Sequence, residues 1–454
     1  MKQLHLKQRI QRPLVYMAMA ATMAITSAIS TPMRPTTAET QAVDWPQVQG
    51  NPQRTGFVAE TLGTDFKVVW TRAFQPEKIY PQVQGIVHQG KVFVGTEMGN
   101  LYALDAATGA QAWKFAAGSP ILASAAATDG KVFFAALDGS VYGVNVSSGA
   151  QAWKTKINAR VGFSTSPVLA DGKLMLGARN GVFYAFDPNS GAKLWEYKVG
   201  FPLLQTAAAN NGKVYFGAMD MRVYALNTSN GTLAWKSNKN FQMAYKDYWP
   251  VVHQGKVLVR PMGWGELGPG NTTDAAQNAE LAAYDADPGN ASIKSLYIYD
   301  EANGNELPAV IHWDSNTMNG ASAPPCVDKD GFLIMAAPAT GEQYKTGWGK
   351  LNLATRKIVG MLEDGTGSGK GNRDENLAVT CTQNLVLTMH TQEYNAHFNG
   401  AFDQTTNKWT LIGAGRTNNR MSNNTQGGGA NPASIANGIV YHISWHEIIA
   451  RSTR

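Results

Sequence analysis

His390, Glu393 and His397 place two imidazoles and a carboxylate in the short stretch "HTQEYNAH". These are the groups that bind a divalent ion or pass a proton. Their spacing matches no zinc motif on a helix, and the chain has neither an HExxH sequence nor a Cys/His cluster. Other polar side chains crowd the same half of the sequence: His312 and Asp314; Asp374, Glu375 and Asn376; Arg416, Arg420, Asn424 and Gln426; His446 and Glu447. The first three residues are candidates for a metal, and the others for a polar ligand or a partner. None is assigned a catalytic role. Cys326 and Cys381 are the only cysteines. Two such residues in an exported chain are read either as one disulfide or as two buried thiols.

These residues need a frame, and most of them fall in long polar interruptions of a repeat. The repeat is plain in the first half. "LYALDAATGAQAW" ends at Trp113, "VYGVNVSSGAQAW" at Trp153, "FYAFDPNSGAKLW" at Trp195 and "VYALNTSNGTLAW" at Trp235. Within one unit, short runs of alternating apolar and polar residues are separated by Gly, Asp and Thr, which reads as four strands joined by tight turns. A period of about 40 residues is that of a β-propeller blade. Each Trp sits at the same point of an outer strand, where a large ring fills the widening wedge between blades. Small residues such as Ala123, Ser124 and Ala125 suit the crowded axis.

Weaker copies begin at Gly255, Gly331, near Asn384 and at Gly438. The count is eight, with seven as the alternative if one late copy is misread. The last copy lacks an outer strand, while "KVVWTRAF" around Trp70 is an outer strand without a blade. The N-terminal strand is therefore expected to complete the last blade and close the ring, which leaves no open sheet edge.

The phrases "ALDAATGAQAW" and "AFDPNSGAKLW" resemble the tryptophan-docking motif of the PQQ-binding-like β-propeller repeat family. "DWPQVQGNPQRTG", residues 44–56, resembles the opening phrase of many of its exported members. That family includes quinoprotein alcohol dehydrogenases and the propeller lipoprotein of the outer-membrane barrel assembly machinery. The resemblance implies an all-β, eight-bladed propeller of four-stranded antiparallel blades. Its functional implication is divided. Quinoprotein dehydrogenases place an adjacent, bridged cysteine pair beside PQQ and ligate calcium with acidic and amide groups, and here no two cysteines adjoin. The lipoprotein carries an acylated cysteine at the end of its signal, and none is present there.

In a propeller, the connection between second and third strands and the connection between blades open on the same end. The interruptions at 261–280, 338–350 and 390–400 are of the first kind, and those at 300–320, 363–376 and 413–432 of the second. One end is thus expected to carry long polar loops, the usual place for binding residues on a rigid scaffold.

Residues 1–42 read as a secretion signal and linker. Lys2, Lys7, Arg9 and Arg12 precede the apolar run 14–29, which is short for a bilayer span, and cleavage is expected near Val43. The remainder, 43–454, reads as one propeller domain. The formal charge of +6 is concentrated in this leader, which alone carries +4. A nearly neutral body gives no electrostatic case for nucleic acid or an anionic membrane. The sequence therefore points to a secreted or periplasmic propeller that binds a protein or a small polar ligand on its loop-bearing end, without a lasting membrane anchor. The alternative is an oxidoreductase dependent on PQQ and calcium, or on a metal, that uses the same end.

Overall fold

The computed structural model describes residues 43–80, 83–158, 160–240, 245–260, 279, 282, 296–307, 323–338, 345–364, 371–372, 379–392, 396–412 and 432–453. The leader read at 1–42 lies outside them. Among the described residues no helix is long and apolar enough to cross a membrane.

The chain folds into eight antiparallel sheets. Blade 1 shows the plan. Its strands Ile86–His88, Lys91–Gly95, Asn100–Asp105 and Gln111–Ala116 pair in sequence order from the axis outward. The middle strands are almost wholly buried, and the outer strand alternates exposed and buried positions. That difference follows from their neighbours, because the middle strands pack on both faces against adjacent blades. Blade 8 is completed by Lys67–Ala73, which pairs antiparallel with Glu447–Ser452. First and last parts of the chain thus share a sheet.

The wedge between blades is filled in one repeated way. The Trp70 ring Nε1 donates to the Ala106 carbonyl at 3.0 Å, Trp113 to Val146 at 2.9 Å, Trp153 to Pro188 at 2.9 Å, Trp195 to Thr228 at 2.9 Å and Trp235 to Glu301 at 3.1 Å. Each ring lies flat on a glycine in the next blade. At Gly191 a Cβ would come 2.4 Å from the Trp153 ring, and φ is +72°. Only glycine meets both demands at that turn.

Blades 6 and 7 depart from the plan. The segments 338–350 and 390–400, read from sequence as enlarged loops, are largely strand. Leu333–Pro338 pairs with Lys345–Asn352, and Leu385–Gln392 pairs with Ala396–Asp403. Polar composition hid these extensions, since backbone pairing needs no apolar side chain. Trp348, within the first of them, is fully buried beside Cys326 and Ile334.

Candidate functional site

The two ends of the propeller differ in how they are closed. At the end bearing the short turns, residues 43–62 form a strap that passes around the axis and meets every blade in turn. Trp45 pairs with Val87 of blade 1, and the Pro46 carbonyl accepts from Ala127 N of blade 2 at 2.7 Å. Gln47 Oε1 accepts from Leu169 N of blade 3 at 3.0 Å. Pro52 and Gln53 carbonyls accept from Ala209 N of blade 4 and Val252 N of blade 5. Thr55 O accepts from Val327 N of blade 6, Phe57–Val58 pairs parallel with blade 7, and Glu60 reaches blade 8. The strap satisfies first-strand groups that would otherwise face an empty axis.

Arg54 is the centre of this strap and is fully buried. Its guanidinium donates to the carbonyls of Ala207 at 2.9 Å, Val48 at 2.8 Å and Pro167 at 3.0 Å, and to Gln47 Oε1 at 3.4 Å. Burial lowers its pKa to about 9. The group stays cationic at neutral pH, held by carbonyl dipoles rather than by a carboxylate.

Toward the other end, a girdle of polar groups links blade to blade. Ser124 Oγ accepts from Gln84 N at 2.7 Å, Ser166 Oγ from Ser124 N at 3.0 Å, Thr206 Oγ1 from Ser166 N at 2.9 Å, and Tyr248 O from Thr206 N at 2.9 Å. Small hydroxyl residues are needed there because strands converge. Beyond the girdle, Tyr80 lies close enough to Asp247, Arg179 and Glu97 for their charges to act on its hydroxyl, whose pKa is raised by burial first and by Asp247 next. Asp247 and Tyr248 are consecutive residues with φ of +58° and +51°. Such paired left-handed conformations in residues other than glycine cost free energy and are held by surrounding structure.

This second end receives the long connections. They join Val259 to Tyr297, Leu307 to Cys326, Met361 to Val379 and Ile412 to Ser434. His312, Asp314, Asp374, Glu375, Asn376, Glu393, Arg416, Arg420, Asn424 and Gln426 lie in them or at hairpin tips, outside the described residues. His390 is in register with Phe398 and His397 with Thr391 on the paired strands Leu385–Gln392 and Ala396–Asp403. His446 donates through Nδ1 to the Glu77 carbonyl at 3.0 Å. Glu447 is half-buried, with its pKa raised by burial against the pull of Arg451 and His446. Among the described residues no three His, Cys, Asp or Glu side chains converge as a metal set.

Cys326 and Cys381 are joined by a disulfide between the first strands of blades 6 and 7, with a Cα separation of 5.8 Å. The bridge lies against the strap, where a Cβ on Gly56 would come 3.1 Å from Cys326 Cβ. It does not fit the adjacent-cysteine arrangement of a quinone site.

Sequence reasoning missed the strap residues Gln47, Gln49 and Arg54 and their partner Gln84. The phrase at 44–56 was legible as the opening of exported family members, but its Gln-rich run has no counterpart in any repeat, so the role of these side chains was not.

The family model described as outer membrane protein assembly factor BamB matches residues 63–207 and 179–292, together more than half of the chain. The chain belongs to this family of PQQ-like propellers. No curated protein matches it in sequence. BamB from Moraxella catarrhalis is 13% identical with a TM-score of 0.56, over 85% of this chain and 99% of that one. The quinohemoprotein alcohol dehydrogenase from Comamonas testosteroni is 10% identical with a TM-score of 0.58, over 90% of this chain and 80% of that one. The computationally designed Ika8 protein is 13% identical with a TM-score of 0.54, over 83% and 98%. An assembly factor, an enzyme and a designed protein share one architecture with this chain, so the likeness speaks for the fold alone.

Proposed function

We propose that this family member is an exported binding scaffold that presents its loop-bearing end to a protein or a small polar ligand. The observation that carries the reading is the asymmetry of the two ends. One is shut by the strap and built from short turns, and the other gathers the long connections. A rigid ring with variable connections on one end is a common arrangement for recognition. Secretion or a periplasmic location rests on the leader at 1–42, and the N-terminus of protein recovered outside the cytoplasm should begin near Val43.

Replacing residues 415–430 by a short Gly-Ser turn should abolish partner capture, whereas alanine at His390, Glu393 or His397 alone should leave it intact. The enzymatic alternative draws on the structural likeness to quinohemoprotein dehydrogenases. It gives the opposite pattern: a quinone absorption band after addition of PQQ and calcium, or bound metal in the purified chain, lost with a single alanine.

A further inference from the structure

The end that receives the long connections also carries the short tips of blades 1 to 4, and these tips have a charge pattern of their own. Each second-to-third hairpin is tied to the connection that enters its blade: Glu97 N donates to the Lys78 carbonyl at 2.8 Å, Leu137 N to Pro120 at 3.0 Å, Arg179 N to Gly162 at 2.9 Å and Met219 N to Pro202 at 3.2 Å. The four tips thus form one repeated platform. The outer strands of blades 2, 3 and 4 all end on this side with a lysine, Lys156, Lys198 and Lys236. Lys78, Arg160, Arg179 and Lys239 stand on the connections and tips, exposed and with no ion-pair partner among the described residues.

The carboxylates are set deeper. Glu77 is buried, and Glu97, Asp138, Asp220 and Asp247 are half-buried. Asp138 is engaged by Lys156 at 3.1 Å and Asp220 by the Tyr224 hydroxyl at 2.6 Å. Among the described residues of these tips and connections, every exposed charge is therefore positive. The near neutrality of the whole body conceals this, because a total carries no information on placement. Apolar side chains project from the same tips. Met98 of blade 1 is 60% exposed, Val161 at the entry to blade 3 is 39% exposed and Phe201 at the entry to blade 4 is 50% exposed. Val161 and Phe201 flank one hairpin, since Arg179 N binds the Gly162 carbonyl and the Gly181 carbonyl accepts from Gly200 N at 3.1 Å.

We propose that the tips of blades 1 to 4 dock reversibly on an anionic lipid surface, with the cations at the headgroups and Phe201, Val161 and Met98 entering the interface. Charge complementarity fixes the sign of the occupant, and exposed apolar groups beside cations are what an interfacial contact requires. A folded acidic partner would need a matching pocket for each of three tips on three blades, whereas a fluid interface receives them wherever they stand. The inference goes beyond the scaffold reading and does not rest on it, since that reading concerns the long connections of the later blades.

The protein recovered after export is used, because the apolar run 14–29 would itself bind lipid. It should co-sediment at low ionic strength with vesicles of equal parts phosphatidylglycerol and phosphatidylcholine, not with phosphatidylcholine alone, and added salt should release it. Arg160→Glu together with Arg179→Glu should weaken binding roughly tenfold or more, at about fivefold for each cation lost near the surface. Lys67→Glu together with Lys193→Glu changes the net charge equally, but where outer strands begin at the strap end, and should leave binding unchanged. Phe201→Ser should weaken it severalfold with the melting temperature retained. The proposal is overturned if the native protein does not sediment with the anionic vesicles, if it sediments equally with phosphatidylcholine alone, if the arginine pair has no more effect than the strap-end pair, or if Phe201→Ser has none. Binding to soluble polyglutamate without binding to the vesicles would assign the face to an acidic polypeptide and likewise overturn it. None of these outcomes bears on partner capture through residues 415–430.

Discussion

Val43 and Glu60 bind the same turn. Val43 N donates to Asn437 Oδ1 at 2.9 Å, and the Glu60 carboxylate accepts from Asn437 N at 3.0 Å and Gly438 N at 2.6 Å. The strap therefore begins and ends at blade 8 after a full circuit of the axis.

Arg54 holds that circuit at its middle, and Arg54→Ala would leave buried carbonyls of three segments without donors. At roughly 1–3 kcal/mol for each unsatisfied buried group, with partial relaxation, a loss of about 3–5 kcal/mol is expected in urea unfolding. Arg54→Lys should recover only part of it, because one ammonium cannot reach all three carbonyls. Near-native stability in Arg54→Ala would mean that the strap is not needed to hold the ring.

The docking rings give a second test. Trp153→Ala should cost about 3–5 kcal/mol, as for other large buried aromatic groups. Gly191→Ala should also destabilise, since the added methyl meets the Trp153 ring at 2.4 Å and the backbone is left-handed. If both variants unfold at the native denaturant midpoint, the packing of blade 2 on blade 3 has been misread.

The Cys326–Cys381 bridge closes a separation of 55 residues. Chain-entropy estimates for a loop of that length give about 4 kcal/mol of stabilisation. The double Cys→Ala variant should lose up to that amount, and native protein denatured without reductant should show no free thiol.

His442 supplies a pH dependence. It is buried on blade 8, its Nδ1 accepts from Arg451 at 3.0 Å, and burial together with that guanidinium holds its pKa well below the ordinary imidazole value. The unfolded chain takes up a proton near pH 6.5 that the folded chain refuses. The stability from neutral His442 is thus complete above that pH and falls away below it, by about 1.4 kcal/mol per pH unit. His442→Asn keeps an acceptor for Arg451 and removes the titration, so its acid limb should be shallower by one proton in denaturation curves at pH 5 and 7.

The ring was legible because propeller blades repeat their turn chemistry. Gly109 and Trp113 each have a geometric duty that recurs, and the missing outer strand at the end of the chain found its match at Trp70. The strap was not legible, since Gln47, Gln49 and Arg54 answer to carbonyls and amides from many blades, and such long-range partners leave no periodic trace. His446 illustrates the difficulty with the polar inventory. A histidine in a turn is offered as a ligand by its type alone, and the Glu77 carbonyl that orients it through Nδ1 cannot be read from the residues around it. His390 and His397 are close in sequence, and the structure shows them on the two paired strands of one hairpin, which spacing alone did not announce.

The strap also imposes an order of events on a growing chain. Its residues are made long before their partners Asn437 and Gly438 in blade 8. Until blade 8 emerges, the strap has no closed circle to occupy and the outer strand at Lys67–Ala73 has no sheet to join. Blades can form as they appear, but the final locking is deferred until blade 8 has been made, when the two ends of the ring come together in one step. A chain truncated within blade 8 is expected to remain an open, protease-sensitive arc rather than a slightly smaller ring.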